Sequence, residues 1–288
     1  MLGIALAVLA SVTSAFAVVI VGKNSQKSTA FNISLIVSCV GMAILWPLAG
    51  LSADFTMLNF EALALFMLSG LLTPGLVRLC YYAGLKKLGA SVNAALFSVY
   101  PLYSALFAIA LLNETLRLEN WSGILFIIAG CFFVELSFNQ INGGSRVALG
   151  GLLLPVGGGL ALAVAAIIRK AALNLYNAPV LGTAVSYAAS VIAYSLVLTF
   201  FKSTRKQFTI RRDLRFFWKA GIGQAITWVL AFYALSFENV SVVTPILATE
   251  PLFIALFAQL FLRGVERLSL KIVAGSLLIV LGVALVII

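Results

Sequence analysis

Apolar runs of about twenty residues, repeated along the whole chain, constrain this sequence more than any other feature. They fall at 2–22, 31–51, 60–83, 89–112, 120–139, 149–170, 179–201, 215–237, 239–262 and 269–288. Each is long enough to cross ~30 Å of hydrocarbon as a helix. Backbone groups facing lipid must find partners within their own segment, which excludes open strands. The gaps are short, so each helix returns directly across the bilayer. Only 10% of residues are charged, against about 25% in soluble domains. The expected fold is an all-α polytopic membrane protein with ten transmembrane helices. Residues 2–22 lack a basic stretch before them and exceed the apolar core of a signal peptide, so they are read as a retained first span.

The chain also repeats itself. PLYSALFA at 101–108 returns as PLFIALFA at 251–258, with six of eight positions identical. After a two-residue shift Glu114 pairs with Glu266, Gly123 with Gly275 and Gly130 with Gly282. Upstream, Gly70, Tyr82 and Ala83 pair with Gly221, Tyr233 and Ala234. This divides the chain into a first five-helix repeat at 1–139, a linker at 140–148 and a second repeat at 149–288. Five crossings is an odd number, so the second copy starts on the opposite side of the membrane. The expected result is a pair of inverted repeats, an arrangement that gives many secondary transporters two exchangeable conformations.

Several function classes drop out. The formal charge of +10 does not indicate nucleic-acid binding, because the basic residues cluster in short gaps where they meet headgroups. The chain has no histidine, which removes His catalysis, His metal sites and His pH sensing. Cys39, Cys80 and Cys131 each sit alone in an apolar run and read as packing residues. No cofactor or metal is expected. No P-loop occurs, and Gly157, Gly158 and Gly159 are not one, since no strand precedes them and no Lys-Ser/Thr follows. They read as a place of close helix approach or local bending. An intramembrane enzyme would lack a GxSxG elbow and an HExxH motif, and neither a channel nor a structural protein requires the repeat.

The proline, glutamate and glycines of the fourth and fifth spans (Pro101, Glu114, Gly123 and Gly130) have counterparts in the ninth and tenth (Pro251, Glu266, Gly275 and Gly282). With the ninth-span ATEPLFIALFA, they resemble the drug/metabolite transporter superfamily, in particular its ten-span EamA-type members. Arg263-Gly264 stands where that family usually has Gly-Glu. The resemblance implies a transporter, often exporting amino acids or related metabolites without ATP hydrolysis. It also implies a multi-pass location, here the plasma (inner) membrane of a prokaryote. Multidrug or lipid-linked-sugar translocation is the alternative and would need a wider or laterally open cavity.

Glu250 is the sharpest site candidate. A carboxylate in mid-span costs ~2.5–3.5 kcal/mol on insertion scales, and Pro251 beside it removes a backbone hydrogen bond and opens the helix. It is read as a binder of a substrate ammonium, or as the group that takes up a coupling proton. Tyr100 stands at the equivalent position before Pro101, on one stripe with Asn93, Phe97 and Ser104. Thr183, Tyr187, Ser190 and Tyr194 form a second polar stripe, and Gln224, Thr227 and Trp228 share a third face. Glu250, Tyr100, Asn93, Tyr187, Tyr194, Gln224 and Trp228 are therefore expected to bind a small-molecule substrate in a cavity. Helix–helix hydrogen bonding is the alternative role for the polar stripes. Pro101 and Pro251 are the expected helix breaks. Arg78, Glu135, Arg169 and Lys170 lie near span ends and are read as structural, the long basic side chains among them being expected to snorkel toward headgroups. Glu114 and Glu266 are expected to be solvated or to cap helices.

Sixteen of the nineteen basic residues lie in the odd-numbered loops or in the span ends that border them, a bias that places those loops in the cytoplasm and both termini outside. The family resemblance implies cytoplasmic termini instead.

Overall fold

The computed structural model describes residues 1–52, 58–88, 93, 96–141, 149–200, 210–261 and 270–288, without the side chains of 135–141, 149–152, 255, 258–261, 270, 272 and 273. Among the described residues every regular element is helical. In chain order these are α1 (Leu2–Asn24), α2 (Ala30–Ser52), α3 (Phe60–Gly70), α4 (Val77–Leu88), α5 (Tyr100–Leu112) and α6 (Leu118–Ile141). They continue as α7 (Leu149–Leu175), α8 (Pro179–Phe200), α9 (Ile210–Phe237), α10 (Val240–Leu247), α11 (Glu250–Phe261) and α12 (Leu270–Ile287). Residues 142–148 of the expected linker lie outside the described residues, as do Arg263, Gly264, Glu266 and the side chain of Glu135.

Among the described residues six helical stretches are long and apolar enough to cross a membrane: Leu2–Lys27, Ala30–Ser52, Phe60–Leu88, Leu153–Leu175, Pro179–Phe200 and Ile210–Phe237. Shorter apolar helices among the described residues are Tyr100–Leu112, Leu118–Val134, Val240–Ile254 and Ala274–Ile287. Large apolar side chains such as Leu153, Ile192, Leu196 and Leu277 are more than half exposed. Patches of that kind would aggregate in water; in lipid they are the solvent-facing surface. This is a multi-pass helical membrane protein.

The interior is built from small residues that bring backbones together. Fully buried alanines of α1 (Ala7, Ala10, Ala15 and Ala17) let it pack along α9. Gly223 of α9 sits where a β-carbon would stand 3.1 Å from that of Ala17. Helices α6 and α12 meet along a four-glycine seam. A β-carbon on Gly123 would lie 2.6 Å from the Gly282 carbonyl oxygen, and one on Gly130 would lie 2.6 Å from that of Gly275. Gly158 of α7 stands against Phe97 and Cys80, whereas Gly157 has open space beside it. Only the middle glycine of that triplet serves close approach.

Among the described residues three helical stretches are interrupted, each beside a proline. Between α3 and α4 the chain passes through Leu71–Leu76 with Pro74 inside it, and Thr73 is extended (φ −140°, ψ 115°). The sequence reading did not single out this break. Between α10 and α11 the break falls just before Pro251. Proline cannot donate to the carbonyl one turn back, which belongs to Leu247. The Ser11 hydroxyl of α1 covers that end of α10, lying 2.8 Å from the Ile246 oxygen and 3.3 Å from that of Leu247. In the fourth span a turn at Ser98 and Val99 precedes α5, with Pro101 in its first turn.

Glu114 is a cap, one of its two expected roles. Its carboxylate accepts from the Val240 amide at 2.9 Å and the Ser241 amide at 3.0 Å, and from the Ser241 hydroxyl at 2.5 Å. Those amides are orphan donors at the start of α10, and a negative charge there also meets the positive end of the helix dipole. Glu114→Ala should destabilise the protein by about 2–3 kcal/mol, with Glu114→Gln intermediate. Thermal melts of the purified protein in detergent check both.

Candidate functional site

The interrupted stretches face a shared hollow. A cavity with about 1100 Å³ of empty space, counted out to its open mouth, lies among α1, the Thr73–Pro74 break, α4, α5, α7, α9 and the α10–α11 break. Helices α2, α6, α8 and α12 contribute no described lining residue. Its walls are mostly apolar and aromatic, with Tyr81, Phe97, Tyr100, Trp228 and Leu162 among them. Such a surface suits a small ligand with an apolar body and a few fixed polar groups.

Four of the sequence-derived candidates reach the cavity: Glu250, Tyr100, Gln224 and Trp228. Glu250, half-buried at the start of α11, accepts a 2.9 Å hydrogen bond from the Ser14 hydroxyl of α1. The Gln224 side-chain amide of α9 donates to that same hydroxyl oxygen at 3.3 Å. Three helices thus fix one carboxylate by a short polar chain. The Tyr100 hydroxyl donates to the Thr244 carbonyl across the cavity at 2.8 Å, tying α5 to α10. The Trp228 indole nitrogen is buried and has no hydrogen-bond partner.

The other three candidates stand behind the wall. Tyr187 of α8 is fully buried, and its hydroxyl accepts from the Arg78 guanidinium at 3.1 Å. The Tyr194 hydroxyl lies 3.1 Å from the Pro74 carbonyl oxygen and 2.6 Å from that of Gly75, satisfying backbone that the break exposes. Asn93 is fully buried and donates to the Tyr81 carbonyl at 3.1 Å. Thr183 and Ser190 return their hydroxyls to carbonyls of their own helix. The polar stripe of α8 therefore faces inward, as expected, and braces the lining instead of joining it.

Arg78 and Arg169 correct the sequence reading. Both were expected to snorkel to headgroups, yet they are 6% and 1% exposed and line the cavity. The cause is helix length. The third apolar stretch continues as helix to Leu88 and the sixth to Leu175, so each arginine lies deeper than the apolar run implied. Arg78 donates to the Ser38 hydroxyl at 2.8 Å as well as to Tyr187. The Arg169 guanidinium carbon lies 4.6 Å from the ring centroids of both Trp228 and Phe232, while its Nε and Nη2 have no hydrogen-bond partner. Lys170 departs from the expectation differently. It donates to the Leu235 and Glu238 carbonyls at 2.7 and 3.0 Å, capping the end of α9 where a cation is favoured. Among the described residues no ion pair joins Arg78, Arg169 or Glu250 to an opposite charge.

Ser11 and Ser14 of α1 were also missed. Their signal was faint, since serines among small apolar residues look like packing positions. Among the described residues no group of histidine, cysteine or carboxylate side chains could hold a metal ion.

This architecture and its cavity have relatives. The sequence profile of the EamA-like transporter family matches residues 1–136 and 149–288. The chain belongs to the EamA-like transporter family. An uncharacterized transporter of Archaeoglobus fulgidus is 22% identical over 290 residues, covering 99% of this chain and 98% of that protein. A protein of known crystal structure matches with a TM-score of 0.72 at 18% identity, over 99% of this chain and 94% of its own. That likeness concerns the fold alone. Membership of this family makes the chain a membrane transporter, with a small molecule as cargo and lipid as solvent.

Proposed function

We propose that this member of the family is a secondary-active carrier of small metabolites, amino acids or compounds related to them, exporting or exchanging them by alternating access. The observation that carries the reading is the cavity, walled by helices from both halves and bordered by helix breaks. Glu250, Tyr100, Gln224 and Trp228 contact the substrate; Asn93, Tyr187 and Tyr194 hold the wall in shape. Glu250, the one carboxylate among the described lining residues, takes up the coupling proton. The site of action is the plasma (inner) membrane of a prokaryote.

The ten-span, inverted-repeat architecture belongs to this proposal, and the helix contacts support it. Exchanging spans one to five for six to ten turns the α1–α9 contact into that of α7 with α3 and α4, which also packs closely. It turns the α2–α9 contact into that of α8 with α3. The α6–α12 seam maps onto itself. Gly123 and Gly275 are equivalent in the repeat, as are Gly130 and Gly282. In space Gly123 meets Gly282 and Gly130 meets Gly275, so the two helices run antiparallel. An axis parallel to the helices would leave them parallel; an axis across them, in the membrane plane, reverses them as found. Rocking one half against the other about such an axis would open the cavity to each side in turn.

Counterflow in proteoliposomes against a metabolite panel, with and without a pH gradient, tests the proposal. Saturable flux stimulated by substrate on the far side is expected. Flux that rises without saturation would mean a pore, and the carrier reading would fall.

A further inference from the structure

Taking the carrier reading as its base, we infer that the cavity accepts a small organic acid of net negative charge. Its carboxylate, or an equivalent oxyanion, is held by Nε and Nη2 of Arg169 beside the indole N–H of Trp228.

The first argument is the balance of donors and acceptors. Three buried N–H-bearing atoms on the lining side chains lack partners: Nε and Nη2 of Arg169 and Nε1 of Trp228. The Thr73 hydroxyl, also on the lining, is buried without a partner too. Buried polar groups are nearly always satisfied, so each exception needs a reason. Several unsatisfied donors around one cavity are accounted for together by a ligand rich in acceptors.

The second argument is the shape of the guanidinium. The N–H bonds on Nε and Nη2 point the same way and form a fork that fits two oxygens of one carboxylate. Trp228 and Phe232 flank the guanidinium through their rings. Aromatic π density attracts the cation from its faces, whereas the N–H donors lie in its plane at the edges. The rings therefore orient Arg169 and leave its fork unspent.

The third argument is charge. The lining carries two guanidinium groups and one carboxylate. Arg78 is hydrogen-bonded only to neutral hydroxyls, and Glu250 is bonded to Ser14, itself neutral. A zwitterion entering this cavity leaves one positive charge uncompensated. A monoanion brings the sum to neutrality with Glu250 ionised, and a dianion does so with Glu250 protonated. In a surrounding of low dielectric such a difference governs which ligand enters. The aromatic wall of Tyr81, Phe97, Tyr100 and Trp228 suits an apolar body behind the acid group.

The test uses one ring with three charges: phenylacetate as the anion, phenylalanine as the zwitterion and phenethylamine as the cation. The full-length protein is assayed by ligand-induced thermal shift in detergent and by counterflow in phosphatidylcholine vesicles. Phenylacetate is expected to bind at least about tenfold more tightly than either analogue. Arg169→Met should weaken it by about 30-fold or more. Arg169→Lys retains the charge without the fork and guards against a folding artefact. It should keep the wild-type melting temperature without ligand yet lose about tenfold in phenylacetate affinity. If the zwitterion or cation exchanges saturably and phenylacetate does not, the inference is overturned while the carrier reading stands. If phenylacetate binds in an Arg169-dependent manner but no compound exchanges, the inference stands and the carrier reading fails. Arg169→Lys binding phenylacetate as tightly as the wild type would also overturn the inference.

Discussion

Glu250→Gln should abolish accumulation driven by a pH gradient while leaving substrate exchange within about threefold of wild type. Glutamine has the shape of a protonated glutamate but cannot release a proton. It can still accept from Ser14, so the Gln224–Ser14 chain that fixes this position survives the substitution. Among the described lining residues Glu250 is the one carboxylate. The ionisable groups around it are Arg78 on α4, Arg169 on α7, and Tyr81, Tyr82 and Tyr100. Arginine stays charged and tyrosine neutral across the pH range in which a cell works. Glu250 is therefore the group of the described cavity wall to which the proposal assigns the proton.

The sign of the pH effect follows from charge. Protonating Glu250 removes a negative charge from a cavity proposed to take an anion, so wild-type affinity for the anion should rise as pH falls. By linkage, the anion should favour proton uptake by the same factor, a coupling of about 5–150-fold. Glu250→Gln should be fixed at the low-pH level and show no dependence. Affinity measured across a pH series, with gradient-driven uptake and exchange measured on the same vesicles, separates the cases. Uptake in the variant equal to wild type, with an unchanged pH profile, would remove Glu250 from coupling.

How far the sequence could be read depended on which physical property each residue expressed. Apolar length located the helices, because lipid imposes one constraint on every span. Hydropathy is silent on where a helix ends once a basic residue interrupts it. Arg169 and Lys170 looked like the close of a span, although Ala171, Ala172 and Leu173 resume the apolar run behind them. Carrying the helix through to those residues would have placed Arg169 inside the bundle, where an ionisable group is a functional candidate by default. Glu250 was legible because nothing apolar disguises a carboxylate in mid-span. The helical period placed Tyr187 and Tyr194 on one inward face, but it cannot say whether an inward face meets a cavity or another helix. Here that face meets Arg78 and the Pro74 break. The same period put Gln224 and Trp228 on a face that does reach the cavity.

The seam between α6 and α12 yields the other large effect. Gly123→Ala and Gly275→Ala should each destabilise the protein by about 2–3 kcal/mol, and by closely similar amounts. At both positions the new β-carbon would lie 2.6 Å from a carbonyl oxygen of the facing helix. The obstruction is backbone, so no side-chain rotation relieves it and the two helices must separate. That separation forfeits contacts along the whole seam, and close approach of small residues is the main source of helix association in lipid. It outweighs the roughly 1 kcal/mol by which alanine favours a helix over glycine. Gly157→Ala is the control. A β-carbon there meets nothing within 4 Å, so only the propensity gain remains and stability should hold or rise slightly. Gly130→Ala and Gly282→Ala complete the set, each also facing a carbonyl oxygen at 2.6 Å. Positions exchanged by an axis across the helices occupy equivalent surroundings, so such an axis requires equal costs within each pair. Thermal melts of the five variants in one detergent measure them. A large cost at Gly123 with none at Gly275 would break that equivalence and, with it, the proposed inverted-repeat architecture on which alternating access rests.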